Sequence, residues 1–385
     1  YDYVLDGTGI DVVLTDTGIQ ADHPEFTDSN NISRLQYIDW YAASGVSGTQ
    51  APTFYTDVEG HGTHIAGIAT GKNYGWAKNS KIYVIKIDEL VSTNDGIPVL
   101  TLFDCLLGWH NNKPIDPKTG FKRPTVVNMS WGYSGTYSNI TGGVYRGTPW
   151  VGSTTNVNYG MGPFSTFPAR VVSVDVAIEE LISAGIHVVT SAGNEYMKID
   201  SNVRGASEDY NNYWYDSSNN QYYYQRGGSP YSSNAHIIGS IAATSYTANL
   251  DQKTTFSNYG PGVDYAAPGR RIMSSTSTTN ALAASGYQDQ PYFANNLYKQ
   301  ASVSGTSMAA PQVTGVAALF LQINPGLTPA QLKQTMIGQC QSTLRNTNLN
   351  NDYTNYNSLW GGPNRNMYLP YGTSTSFSVS GSVTI

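Results

Sequence analysis

Charged side chains are scarce in this chain. Its 21 Lys and Arg and 27 Asp and Glu make up 12% of 385 residues, about half the usual share. With a net charge of −6 and no basic cluster, the composition argues against nucleic-acid binding. Long apolar runs are missing too: no stretch reaches the roughly 20 residues that a membrane-spanning helix needs. Cysteine is nearly absent. Cys105 and Cys340, the only two, allow at most one bridge and have no metal-ligand spacing; the reading they support is a pair of buried free thiols. They leave the redox compartment open. There is no internal repeat and no run of carboxylates at EF-hand spacing. No Met, signal peptide or basic targeting segment precedes Tyr1, and a processed or trimmed mature form is the expectation.

Polarity is carried instead by Ser, Thr, Asn, Gln and 29 Tyr, among 39 Gly. The length suits one α/β domain with long loops. Strands are read at Asp11–Asp16, Lys81–Ile87, from Thr125, from His187 and at His236–Thr244. Helices are read at Val99–His110 and at Val171–Ala184, the latter with Val172, Val176, Ile178, Leu181 and Ile182 inward and Gly185 as its stop. Another starts at Thr328 with a capping box and Pro at its first position, and ends at Gly338. Strands alternating with helices imply a mostly parallel sheet. Residues 27–60 read as loop.

The stretch Ser302–Gln322 opens with small polar residues and turns almost wholly apolar. It reads as a buried helix with Pro311 in its first turn, which places Ser307 at the helix N-terminus. There, free N–H groups and the dipole favour a developing negative charge. Gly305 is expected to turn the chain and leave the serine uncovered. The strand Asp11–Asp16 delivers a carboxylate to its end, as active sites on parallel sheets do. His61 and His64 stand three apart without the Glu or third ligand that a zinc site requires. His61 is therefore read as a base and His64 as packing or hydrogen-bonding support.

Three motifs carry a family resemblance. Asp16-Thr-Gly18, His61-Gly-Thr-His-Ile-Ala-Gly67 and Gly305-Thr-Ser-Met-Ala-Ala-Pro311 resemble, in that order, the aspartate, histidine and serine signatures of the subtilisin-like serine proteases. The resemblance runs from about Gly9 to Gly338. It is nearest the proteinase K branch, through Asp16–Phe26 and Thr255-Phe-Ser-Asn-Tyr-Gly260, although Ile65 stands where that branch usually has Cys. It implies a three-layer α/β subtilisin-like fold with long loop insertions, over residues 1–340, and a secreted serine endopeptidase. Asp16, His61 and Ser307 would be the triad, and Asn194, in Ala192-Gly-Asn194, the oxyanion-hole amide.

The resemblance further implies that Ser130-Trp131-Gly132 and Gly96-Ile97 clamp an extended peptide by strand addition. Trp131 replaces a smaller aliphatic residue, and Pro98, in place of Gly, cannot donate a hydrogen bond. Ser191, Ala192 and Gly193, with Gly132 opposite, would wall a roomy, mainly apolar pocket for the residue before the scissile bond, with Glu195 at its solvated polar end. Structural calcium and an N-terminal propeptide are family expectations for which no ligands or segment are assigned. A monomer acting on proteins or peptides, outside the cell or on a surface or virion, completes this reading. A catalytically silent binding fold and an esterase with the same triad are the alternatives.

Three features lie outside the family pattern. Segments 133–169 and 195–228 are long and Tyr-rich, as expected of ordered surface loops with either a substrate role or none. Residues 341–385 form a polar extension, packed on the domain or ending in an edge strand at 376–385. Asn31, Asn128 and Asn139 match the glycosylation pattern.

Overall fold

The structure, a computed structural model, describes residues 5–162, 164–201, 209–242, 251–281, 289–344, 359 and 361–367. Its centre is a seven-stranded sheet. The strands are β1 (Asp11–Asp16), β2 (Lys81–Lys86), β3 (Thr125–Met129), β8 (His187–Ser191), β11 (His236–Ala242), β12 (Gln252–Lys253) and β13 (Tyr265–Pro268). The order is β12-β11-β8-β3-β1-β2, with β13 also on β11. Every pairing is parallel except that of β12 with β11. All six residues of β1 are buried, as a strand covered on both faces requires.

Alternation along the strands divides the core in two. Val12, Leu14, Val84, Val126, Val189 and Ile238 face helices α2 (His61–Thr70), α5 (Thr306–Ile323) and α6 (Pro329–Gln339). Val13, Ile85, Val127, Val188 and Ile237 face α3 (Val99–Asn112) and α4 (Val172–Ser183). These are the three layers expected. One short helix, α1 (Trp40–Ser44), lies within the segment read as loop. It is capped by Asp39 and anchors the fully buried Trp40.

Helix α4 corrects the inward list. Val172 and Val176 are 75% and 53% exposed, whereas Val174, Ile178, Leu181 and Ile182 are buried. Spacings of four, seven and eight residues from Val174 define one helical face, and Val172 and Val176 lie off it. Pro311 also moves: α5 begins at Thr306, so the proline is past the first turn. Gly305 is extended (φ 166°) and makes no left-handed turn. The Thr328 capping box is present and α6 runs on to Gln339. Asn31 and Asn139 are exposed, while Asn128 is fully buried in β3. Both thiols are free, but only Cys105 is buried. Burial pushes both up, Cys340 to about 12, so neither is poised as a nucleophile.

The Tyr-rich segments are folded, and folded onto each other. Strands β4 (Ser134–Thr136) and β7 (Thr166–Pro168) form a ribbon. Strands β5 (Ile140–Tyr145), β6 (Thr148–Val151), β9 (Tyr213–Asp216) and β10 (Gln221–Tyr223) form a sheet of order β10-β9-β5-β6. The β5–β9 pairing joins the two insertions. Tyr137, Trp150, Phe167, Trp214 and Tyr224 fill a separate small core. A three-stranded antiparallel sheet, β14 (Ile272–Thr276), β15 (Asp289–Tyr292) and β16 (Asn295–Val303), leads into Gly305. Of the extension, Arg365 and Met367 bond to Ala266 on β13, and Leu344 and Leu359 pack against Ile241 and Tyr259. The expected strand at 376–385 lies outside the described residues.

Candidate active site

Strand β1 ends at Asp16, which is fully buried. Its Oδ1 accepts from His61 Nδ1 at 2.7 Å and from the Thr17 amide at 2.8 Å. His61 is the first residue of α2. A carboxylate on Nδ1 fixes the tautomer and leaves Nε2 as the basic nitrogen. Asp57, which the sequence reading passed over, braces the pair. Its Oδ1 accepts from Thr17 Oγ1 (3.0 Å) and the Gly60 amide (2.8 Å), and its Oδ2 from the Thr63 amide (2.9 Å). Thr17 Oγ1 in turn accepts from the Gly62 amide at 2.8 Å. The end of β1 and the start of α2 are thus tied together.

Burial disfavours a charged His61 ring, but the Asp16 carboxylate, by charge and by hydrogen bond, outweighs it, with a further contribution from Asp57. The net effect raises its pKa above the ordinary 6.5. His64 goes the other way: burial pushes it down to about 4. It is neutral, with Nε2 bonded to the Ala301 carbonyl at 3.0 Å, a structural role.

Ser307 is the second residue of α5, among N–H groups that lack intrahelical acceptors. Its Oγ donates to the Ser130 carbonyl at 3.1 Å, and Ser130 Oγ donates back to the Ser307 carbonyl at 2.9 Å. The second bond follows from Pro311: with no N–H four residues on, the Ser307 carbonyl has no helical donor and is open to Ser130. Asn194 Oδ1 accepts from the Thr306 amide and Thr306 Oγ1, both at 2.9 Å. Those bonds consume the oxygen and leave Nδ2 as the free end of the side chain. A Cβ on Gly305 would sit 3.8 Å from that Nδ2, so the glycine keeps the space beside the amide open.

A cavity of about 180 Å³ adjoins Ser307, lined among others by Ser130, Trp131, Gly132, Ser191, Ala192, Gly193, Asn194 and Glu195. It therefore gathers every expected pocket residue. Tyr133, Pro168, Gly228 and Ser229 complete it; no motif marked them, because they come from the ends of the insertions. Ser229 O accepts from the Tyr133 amide (3.1 Å), and Ser229 Oγ from the Val171 amide (2.7 Å). The lining is more polar than expected, since Ser229 and the Ser130–Ser307 pair face it. Trp131 turns its ring inward, with Nε1 donating to Thr15 Oγ1 at 3.0 Å.

Two expectations need correction. Glu195 is half-buried rather than solvated, bonded to Asn258 Nδ2, and burial raises its carboxyl pKa. Ile97 is fully buried in the core. Its N–H donates to the Lys86 carbonyl at 2.8 Å, and its own carbonyl accepts from the Asp88 amide at 3.1 Å. It anchors the segment to the sheet, and beside it the Gly96 N–H donates to Asp88 Oδ1 at 3.3 Å. Among the described residues, no three His, Cys, Asp or Glu side chains gather to hold a metal ion, so no carboxylate cage for the expected calcium is found there.

The Subtilase family profile matches residues 7–356. The chain is 28% identical over 337 residues to an extracellular serine proteinase of a Thermus species, aligning 88% of this chain and 56% of that protein. It is 26% identical over 326 residues to a cuticle-degrading serine protease of Arthrobotrys oligospora, aligning 85% of this chain and 55% of the relative. It thus spans about half the length of these relatives. A crystal structure of a cold-adapted subtilisin-like serine proteinase superposes with a TM-score of 0.57 at 24% identity, covering 96% of this chain and 91% of the other. That likeness shows the fold. With the family match across nearly the whole chain, it leads to one conclusion: this chain belongs to the subtilase family.

Proposed function

We propose that the protein is a secreted serine endopeptidase. The observation that carries the reading is the Asp16–His61 hydrogen bond, set at the C-terminal end of β1, the edge of the parallel sheet from which β3 and β8 lead to Ser130 and Asn194. His61 Nε2 takes the Ser307 proton as Oγ attacks the scissile carbonyl. The hydroxyl, which rests on the Ser130 carbonyl, rotates toward the imidazole to do so. The carbonyl oxygen becomes an oxyanion, held by the Ser307 N–H and Asn194 Nδ2. The imidazolium, stabilised by Asp16, returns the proton to the leaving amine, and an acyl-enzyme on Ser307 remains. Water, activated by the same histidine, hydrolyses it. No cofactor enters these steps, and a structural calcium would serve stability alone. A propeptide that inhibits and aids folding, and a monomeric state, belong to the same proposal.

A mass-spectrometric cleavage profile on a peptide library, beside matched peptide and ester substrates, tests it. Internal peptide-bond cleavage is expected; a folded protein that hydrolyses only esters, or nothing, would overturn the reading.

The substrate lies between Ser130–Gly132 and Gly96 and is bonded through its backbone. Tyr133, Pro168 and Ala192 give the otherwise polar pocket its apolar contact, so large hydrophobic side chains before the scissile bond are preferred, with full burial of such a side chain, roughly 1.5–3 kcal/mol, as the upper bound. Glu195 admits Lys and Arg and repels Asp and Glu. Glu195→Gln is expected to relax the exclusion of acidic residues and keep the hydrophobic preference. A library profile that still excludes Asp and Glu after the change would remove Glu195 from this role.

The pH dependence follows from the raised pKa of His61. Below that pKa the ring is protonated and cannot accept the serine proton. The acid limb of kcat/KM should therefore fall above pH 6.5, the ordinary imidazole value. A limb centred well below that value would contradict the Asp16–His61 coupling.

A further inference from the structure

Asn258, in the Thr255–Gly260 stretch that carries part of the family resemblance, is fully buried and takes no part in the steps above. It makes four hydrogen bonds to the loop that carries Asn194. Its backbone N–H donates to the Gly193 carbonyl at 3.0 Å. Its Nδ2 donates to the Ala192 carbonyl at 2.9 Å and to Glu195 Oε2. Its Oδ1 accepts from the Met197 amide at 2.7 Å. Two partners precede Asn194 in the chain and two follow it.

Asn258 is itself held fast. Ser257 Oγ donates to the Asn258 carbonyl at 2.8 Å and accepts from the Ser240 amide of β11 at 2.9 Å. Lys253 Nζ, fully buried, closes the turn on the Thr254 and Ser257 carbonyls at 2.9 and 3.0 Å. The close approach depends on Gly193, which is left-handed at φ 97°. A Cβ there would fall 2.5 Å from Asn258 Nδ2 and 2.4 Å from Glu195 Oε2. Only an amide side chain offers two donors at one tip and an acceptor at the other. A carboxylate of the same shape keeps the bond from Met197 and turns oxygen toward two acceptors.

We propose that Asn258 is a positioning residue for hydrolysis: it fixes the backbone on both sides of Asn194, aiming Nδ2 at the oxyanion, and it holds Glu195 in the cavity wall. The inference rests on the endopeptidase reading above. Neither the triad nor the oxyanion donors touch Asn258, so its effect is exerted through the loop.

The test uses Asn258→Asp, Glu195→Gln and the double variant, each counted by titration of competent sites with a sulfonyl fluoride. Asn258→Asp is expected to lower kcat per titrated site by about 10²-fold, the scale of a 1 Å misplacement, with little change in KM. In the Glu195→Gln background the introduced amide can donate to the introduced carboxylate. The loss caused by Asn258→Asp should shrink there by about tenfold, as residues in direct contact couple. If Asn258→Asp does not fold, Asn258→Ser, which removes the same donors without adding charge, should show the same kcat loss. A merely structural role would lower thermal stability and leave kcat per site at the wild-type value in both backgrounds. That result, from an active wild type, would overturn this inference alone. A wild type that cleaves no peptide would overturn the endopeptidase reading, and this inference with it.

Discussion

Ser307→Ala is expected to remove turnover while leaving the fold in place. The side chain lies at the head of α5 beside an open cavity, and loss of its Oγ removes one hydroxyl bond, to the Ser130 carbonyl. The return bond from Ser130 Oγ goes to the backbone carbonyl of residue 307 and survives the change. Folding therefore loses one partly exposed hydrogen bond, worth about 1 kcal/mol. Catalysis loses its nucleophile, and kcat should drop on the order of 10⁴–10⁶-fold, with a remnant from binding and the oxyanion hole. Circular dichroism and a melting curve beside the kinetics separate the two effects. Wild-type-like hydrolysis by the folded variant would sink the serine mechanism.

Asn194→Ala should be the second large effect, and it should appear in kcat. The side-chain oxygen is consumed by Thr306, whose amide and hydroxyl both donate to it, so the amide tip is presented in one orientation. An oxyanion exists only near the transition state, and a donor aimed at it stabilises that state alone. In subtilisin, a member of the same family, removing such a donor costs about 10²–10³ in kcat; that magnitude is carried over from the relative. KM should move little. A raised KM with kcat unchanged would reassign Asn194 to substrate positioning.

The candidate site was legible in the sequence because its residues sit in short, local motifs. Asp16 ends an apolar strand, His61 opens a helix of small residues, and Ser307 opens another, so each could be placed from its neighbours. The layers were legible too, since a parallel sheet leaves near-continuous apolar runs. What the sequence hid is non-local. Nothing near Gly142 announces that it pairs with Tyr215, so two folded insertions looked like loops. Tyr133, Pro168, Gly228 and Ser229 reach the cavity from the ends of those insertions. Asp57 and Asn258 act through carboxylate and amide forks whose partners are visible only in three dimensions. Pro311 was misplaced by a few residues, yet its missing N–H explains why the Ser307 carbonyl is free for Ser130. Ile97 lies on the sheet side of its segment, which only the pairing with Lys86 and Asp88 reveals.

The central claim is that one serine, activated by His61, forms the acyl-enzyme. A fluorophosphonate, with the adduct located by mass spectrometry, tests it most directly. One adduct per chain is expected, on Ser307, with hydrolysis falling in proportion to labelling and no adduct on Ser307→Ala or at a pH where His61 is protonated. Hydrolysis that survives complete labelling of Ser307, or an adduct on another residue that accompanies the loss of activity, would contradict the account.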